Sequence, residues 1–208
     1  MIDRDDQYDW NFLLAGNISV KTGLRDRGEV AEKACYDEFD QLFFSRGVLK
    51  PLFPHERYKP GNMTRSWMFL RHKFDALGIF EKMKGRMVAD GRTQDRTIYN
   101  NNASPTVQTK SVMACLKIAA VENRLMMKVD ISEAFLTADI DDTQEVWLYI
   151  DNELTSLIVR WKPEFKKYMR KDGSIVCKVL KGMYGLVQAA ILFYQKGMDF
   201  RRTRWINA

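Results

Sequence analysis

The chain has 208 residues, of which 46% are hydrophobic and 12% aromatic, so it is expected to fold with a real core as one large domain or two small ones. It contains no run of 18 apolar residues and no secretory signal, which argues against a membrane protein and against secretion. Its three widely spaced cysteines favour reduced thiols in an intracellular protein, of the cytoplasm or the nucleus.

The formal net charge of +6 conceals three blocks of opposite sign. The stretch from Arg57 to Arg96 contains ten Lys and Arg residues and four acidic residues. The stretch from Arg160 to Lys181 contains eight Lys and Arg residues and two acidic residues. Between these blocks, residues 130–153 contain eight acids and no Lys or Arg. Two interpretations follow: solvated faces that neutralise each other, or basic blocks that hold a polyanion while carboxylates hold cations.

In chain order, residues 1–25 are polar and predict a loose lead-in. From Glu29 to about Arg46, apolar residues recur at helical spacing and predict an amphipathic helix. The runs RSWMFLRHKFD and GIFEKMKGRMVAD have a partial period of two and predict a β-ribbon. Basic residues follow this ribbon, namely Arg65, Arg71, Lys73, Lys82, Lys84 and Arg86.

The second half of the chain alternates helical and extended patterns. A helix is predicted from Val107 to about Asn123, with Thr106 or Thr109 as its cap, and a strand from Leu125 to Val129. EVWLYI and SIVCKVL predict two more strands, with a KDG turn before the second, and GMYGLVQAAILFY predicts a glycine turn that leads into a helix. This irregular mixture predicts an α+β fold.

The predicted strand 125–129 ends on Asp130, which has two explanations. The stretch DISEAF fits a helix that Asp130 caps, with Glu133 at the third position. A carboxylate at a strand end also fits a Mg²⁺ ligand, because Mg²⁺ takes oxygen ligands and often one or two carboxylates. The residues of this stretch are compatible with both the helix cap and the metal ligand. The acids that follow, Asp139, Asp141 and Asp142, predict a solvated acidic turn.

Four motifs in order resemble the reverse transcriptases of copia-type retrotransposons. KGRMVADGRTQD is similar to the basic fingers strand of that family, and SPTV precedes the first catalytic motif, which VDISEAFL resembles. VLKGMYGLVQAAILFY is similar to the second motif, and EVWLYID lies between the two at the expected place. The resemblance covers about Glu29 to Phe200.

The resemblance implies a right-hand polymerase fold, with an antiparallel sheet and packed helices. Its parts would be fingers at residues 26–104, palm with the first catalytic motif at 105–138, a second fingers segment at 139–182, and the start of a second palm segment at 183–208. Relatives of full length copy an RNA or DNA template-primer with dNTPs and two Mg²⁺ ions, or Mn²⁺ in their place. They do so as part of a retrotransposon polyprotein.

The resemblance also implies roles for individual residues. Asp130 would be the catalytic metal carboxylate and the backbone carbonyl of Ile131 a second metal ligand. Phe135 would be the wall that excludes a 2′-hydroxyl, with core packing as the alternative. The other nucleotide-binding candidates are Lys84, Arg86, Tyr184, Gly185 and Gln188. Those for nucleic acid are Arg65, Arg71, Lys73 and Lys82. Ala190 stands where the family usually has proline. This difference would shift the start of the helix, and it bears more on the implied role of Gln188 than on that of Gly185.

The family needs a further Asp-Asp motif downstream of the second motif, and no Asp-Asp pair follows Lys181. The expectation is therefore fingers plus an incomplete palm that does not polymerise alone. The alternative is a non-catalytic, nucleic-acid-binding remnant of such an element. A third possibility is an unrelated α+β interaction domain in which Asp130 only caps a helix.

Overall fold

The computed structural model describes residues 16–75, 77–98 and 104–205, so most of the polar lead-in lies outside the described residues. Helices and strands are mixed, which confirms the α+β prediction. The strands are β1 (Ile18–Ser19), β2 (Leu49–Pro51), β3 (Met63–Phe74), β4 (Phe80–Ala89), β5 (Val146–Ile150) and β6 (Ile175–Val179). The helices are α1 (Val20–Asp40), α2 (Thr109–Val121), α3 (Asn152–Trp161) and α4 (Ala189–Trp205).

The six strands form one sheet in the order β1-β3-β5-β6-β2, with β4 paired to the other edge of β3. The predicted ribbon is confirmed, since β3 and β4 pair antiparallel from Ser66–Ala89 to Phe74–Phe80. The predicted antiparallel sheet is correct for most strand pairs but wrong for β3 and β5, which run parallel through Met63–Arg65 and Trp147–Tyr149. Such a pair requires a long crossover, and here the crossover includes α2.

Helix α1 confirms the predicted helical spacing, because Ala31, Cys35 and Phe39 are all buried on it. Its backbone leaves helical geometry at Gly28 (φ +42°), directly before the predicted start at Glu29, and a further helical segment precedes this break and begins at Val20, where the Ser19 hydroxyl accepts a hydrogen bond from the Thr22 amide. The loose lead-in is therefore wrong for residues 18–25, which β1 and this cap tie to the sheet. All three cysteines are free thiols.

One face of the sheet is covered by α1 and α3 and forms the main core. Met68, Leu70 and Met87 from the ribbon join Leu148 and Ile175 from the neighbouring strands in this core. The opposite face carries only a small apolar cluster, made of Leu52, Trp147 and Val176. One face of the sheet is therefore buried in the core, and the other is directed mainly to solvent. The solvent-directed face is the one available for ligands.

The segment that contains the first catalytic motif departs from the prediction. Helix α2 is present, but its N-cap is Gln108 and neither Thr106 nor Thr109 caps it. Residues 125–129 form no strand, and Leu125, Met127 and Val129 are exposed. A strand needs a partner for its backbone hydrogen bonds, and no described strand lies beside this segment. The strand prediction is therefore wrong for the chain as described.

The remaining predictions of secondary structure hold with small shifts. EVWLYI and SIVCKVL are β5 and β6, and the turn before β6 has Gly173 at φ +81°. The predicted turn of GMYGLVQAAILFY is followed by helix α4, which begins at Ala189. Among the described residues, no helix is long and apolar enough to cross a membrane.

Candidate nucleic-acid interface and catalytic-motif region

The outer face of the β3–β4 ribbon is basic and aromatic. Its side chains alternate with the buried ones along both strands, as expected for extended backbone. We call this surface the basic face; it consists of Arg65, Trp67, Phe69, Arg71, Lys73, Lys82, Lys84 and Arg86. Trp67 is 44% exposed, and the Arg92 guanidinium lies 5.5 Å from the centre of its ring. Trp67 and Phe69 were missed from the sequence, although both fall on the polar register of a period-two pattern.

Like charges face each other across the basic face. Arg71 is paired in register with Lys84, and Lys73 with Lys82. Directly opposed like charges destabilise a sheet. Among the described residues, no acidic side chain forms an ion pair with Arg71, Lys73 or Lys84. An unfavourable arrangement of this kind is relieved when a polyanion binds across both strands.

Three of the predicted nucleotide-binding residues, Arg86, Tyr184 and Phe135, meet beside β4, and we call this group the aromatic corner. The Arg86 guanidinium lies 4.9 Å from the centre of the Tyr184 ring, and this ring meets Phe135 edge-on at 5.7 Å. Burial raises the pKa of Tyr184, while the neighbouring Arg86 charge opposes the rise. Phe135 is half-buried and also meets the Phe193 ring of α4 edge-on, with the ring centres 6.3 Å apart, so it contacts two aromatic neighbours.

Glu38 of α1 supports this corner from inside and was missed from the sequence. It is 4% exposed, and its Oε1 accepts a hydrogen bond of 3.0 Å from the Met87 amide at the free edge of β4. Burial raises its pKa, although the nearby charges of Lys84 and Arg86 lower it. A single acid inside an amphipathic helix gives no sequence signal, because its partner is a backbone group far along the chain.

Gly185 makes a close backbone approach, but the neighbour is the end of β4. Its φ is +89°, and a Cβ there would stand 2.0 Å from the Ala89 carbonyl oxygen. The adjoining Tyr184 carbonyl accepts a hydrogen bond of 2.8 Å from the Ala89 amide. The second motif is thereby fastened to the fingers strand, and a contact of Gly185 with a nucleotide stays a prediction.

Gln188 is 1% exposed and belongs to a pair of buried amides. Its Oε1 accepts a hydrogen bond of 3.1 Å from Gln94 Nε2, and Gln94 Oε1 accepts one of 2.8 Å from the Val187 amide. Gln188 Nε2 has no partner among the described residues. Gln94, in the motif GRTQD after β4, therefore positions the second motif, and its partnership with Gln188 was not visible in the sequence.

Asp130 and Ile131 lie in an exposed, irregular segment. Asp130 caps no helix, and Glu133, at φ +57°, makes no side-chain cap and pairs with Arg46 at 2.7 Å. No group of three His, Cys, Asp or Glu side chains suited to a metal ion exists in the part of the chain that the structure describes. The residues as placed do not fit a metal site.

The trailing acids form the solvated turn that was predicted. Asp139 lies 3.6 Å from Lys196, and Asp142 lies 3.2 Å from Lys178. Asp141 accepts a hydrogen bond of 2.7 Å from the Thr143 amide, which lowers its pKa. These acids are exposed and each has a local partner, so they are structural residues of the turn.

Residues 54–204 match the family described as reverse transcriptase (RNA-dependent DNA polymerase), and the chain belongs to this family. It is a reverse transcriptase domain of the retrotransposon type. The Pol polyprotein of transposon RE2 from Arabidopsis thaliana is 26% identical over 62% of this chain and 8% of its own length. That of transposon TNT 1-94 from Nicotiana tabacum is 27% identical over 66% and 9%. The chain thus spans less than a tenth of these relatives, and no solved structure matches it.

Proposed function

We propose that this chain binds the template-primer of an RNA-directed DNA polymerase on its basic face, as the fingers of a right-hand polymerase. The observation that carries the proposal is the ribbon's two-sided character. Its inner side is apolar and packed on α1, whereas its outer side opposes Arg71 to Lys84 and Lys73 to Lys82. Phosphate contacts from such cations release counterions and give affinity without sequence preference.

The aromatic corner extends the proposal to the incoming dNTP. Arg86 and Lys84 share one face of β4 and are suited to phosphate oxygens. Phe135, edge-on to Tyr184, is the flat and rigid wall beside which a deoxyribose would lie. The contacts of this half-buried ring with two aromatic neighbours restrain it, and this supports its proposed role of excluding a 2′-hydroxyl.

We do not propose that the described residues carry out metal-dependent nucleotidyl transfer. The reverse transcriptase family generally uses divalent metals, and Mg²⁺ demands near-octahedral oxygen coordination. Asp130 offers one carboxylate, with Ile131 beside it, and it belongs to no group of three His, Cys, Asp or Glu side chains that could hold a metal ion among the residues that the structure describes. Two forms of the proposal therefore remain: polymerase fingers that work with the rest of a polyprotein, or a non-catalytic nucleic-acid-binding remnant. Primer extension by this chain supplied together with the rest of the polyprotein separates them, because only the first form would extend a primer.

The binding proposal is tested with a labelled template-primer and fluorescence anisotropy at low salt. The double variant Arg71→Gln/Lys84→Gln removes one like-charge pair from the basic face. The matched control Lys110→Gln/Lys117→Gln removes two exposed cations from α2. We expect the first variant to bind on the order of tenfold more weakly for each lost phosphate contact, and the control to bind like the unmodified chain. Equal weakening in both would show that net charge, and not this face, holds the nucleic acid.

A further inference from the structure

The solvent-directed face of the sheet continues beyond the ribbon into a pocket. Arg65 of the basic face is paired in register with Tyr149 of β5, and Tyr149 with Val176 of β6. A cavity of about 560 Å³ opens beside these strands, and Tyr58, Met63 and Arg170 also line it. A smaller cavity of about 320 Å³ lies between Tyr149 and Arg65. The basic face and the larger cavity are therefore one continuous surface.

Arg170 is one of the charged residues that line this cavity, and part of its hydrogen-bonding capacity is not used. Its Nε and Nη2 are buried and have no hydrogen-bond partner among the described residues. The guanidinium carbon lies 4.8 Å from the centre of the Tyr58 ring, within the range of a cation–π contact. Buried donors without acceptors are unfavourable, and an anion at this position would satisfy them.

The acid in the cavity is already engaged and does not neutralise Arg170. Asp172 Oδ1 accepts hydrogen bonds from the Ser174 amide at 3.0 Å and the Ser174 hydroxyl at 2.6 Å. Its Oδ2 accepts one of 3.4 Å from the Tyr149 hydroxyl. The Ser174 hydroxyl lowers the pKa of Asp172, so the carboxylate stays charged and fixes both the turn and Tyr149. Lys171 adds a second cation to the lining.

We propose that this cavity, the Arg170 pocket, holds a phosphate of the unpaired part of a template strand, with an adjacent base stacked on a tyrosine. The inference rests on the proposed function, because it extends the same nucleic acid beyond the basic face. Tyr58 and Tyr149 offer the aromatic surfaces on which unpaired bases stack, and Arg170 offers the donors for phosphate. An acidic peptide would use the guanidinium but would leave the aromatic surfaces and the track through Arg65 unused.

The dimensions fit a strand of several nucleotides. From Arg71 to Arg65 the basic face runs along six residues of β3, about 20 Å at the rise of a strand. Two strand spacings, about 10 Å, then lead across β5 to β6 and the pocket. A short overhang on the template-primer would therefore occupy the basic face alone, and a longer one would reach the Arg170 pocket.

The test compares two template-primers with the same duplex and single-stranded overhangs of about 2 and about 12 nucleotides, within the site sizes of single-strand-binding proteins. We expect the long overhang to bind on the order of tenfold tighter to the unmodified chain. Arg170→Gln should abolish this advantage and leave the affinity for the short overhang unchanged. Lys166→Gln, which removes an exposed cation from the same basic block, should keep it. Arg170→Lys, which keeps the charge but loses the planar donor group, should keep only part of it.

The outcomes are distinct. Absence of binding to either substrate by the unmodified chain overturns the proposed function, and this inference with it. Binding with the same overhang advantage in Arg170→Gln overturns the Arg170 pocket alone and leaves the basic face intact. Displacement of the long overhang by a poly-glutamate peptide, with Arg170→Gln resistant to it, would show instead that the pocket takes an acidic peptide. Circular dichroism of each variant confirms that the compared chains are folded.

Discussion

Gly185→Ala is expected to be among the most destabilising single-methyl changes in this chain. The new Cβ would lie 2.0 Å from the Ala89 carbonyl oxygen, at a residue whose φ is +89°. Left-handed backbone alone costs a non-glycine residue about 1–2 kcal/mol. Relief of the overlap requires the turn and β4 to separate by about 1 Å, an overpacking cost of about 1–3 kcal/mol. That movement also breaks the Ala89–Tyr184 backbone hydrogen bond, worth about 0.5–1.5 kcal/mol.

The free energy of unfolding should therefore fall by about 3–6 kcal/mol, a large part of the stability of an ordinary domain. Urea unfolding followed by circular dichroism measures it as a midpoint that shifts by about 1 M or more. Gly197→Ala in α4 is the control, because no atom lies within 4 Å of its added Cβ and alanine favours the helix. A Gly185→Ala midpoint close to that of the unmodified chain would refute the contact between the second motif and β4.

Three further predictions concern the site. Burial raises the Glu38 pKa, so the stability that Glu38 contributes is complete below its unfolded pKa near 4.5 and is lost as pH rises through the folded value. Glu38→Gln keeps an oxygen for the Met87 amide, and its stability gain over the unmodified chain should grow from about pH 4 to pH 8 in urea unfolding; a gain independent of pH would contradict this. Phe135→Val, in a version of the domain that polymerises, should raise ribonucleotide relative to deoxyribonucleotide incorporation, and an unchanged ratio would return Phe135 to core packing. The 208-residue chain itself should extend no primer with Mg²⁺ or Mn²⁺, because its described residues contain no group of three His, Cys, Asp or Glu side chains suited to a metal ion; extension that disappears in Asp130→Asn would prove the contrary.

The ribbon and α1 could be predicted because their signals are local. The alternation of apolar and polar residues along RSWMFLRHKFD defines both faces of β3. It predicts the cations of the basic face without knowledge of the residues that oppose them on β4. The spacing of Ala31, Cys35 and Phe39 defined the buried side of α1 in the same way. Where one face of an element is buried and the other is solvated, a short stretch of sequence is enough to predict the element and the face on which each residue lies.

The remaining features depend on partners distant in the chain. Leu125–Val129 has the composition of a strand, yet composition does not supply a neighbouring strand, and the segment is exposed. The amide pair of Gln94 and Gln188 joins residues 94 positions apart, and neither residue alone predicts it. The parallel pairing of β3 with β5 likewise depends on a crossover whose path no local pattern specifies.

The salt dependence of template-primer binding tests the central claim most directly. If phosphates lie on the basic face, the logarithm of the affinity falls linearly with the logarithm of the salt concentration, with a slope of about −0.9 for each phosphate contact on duplex DNA. Arg71→Gln/Lys84→Gln should reduce the magnitude of this slope by about 2, and Lys110→Gln/Lys117→Gln should leave it unchanged. An affinity that does not change with salt, or a slope that the basic-face variant retains in full, would contradict the account.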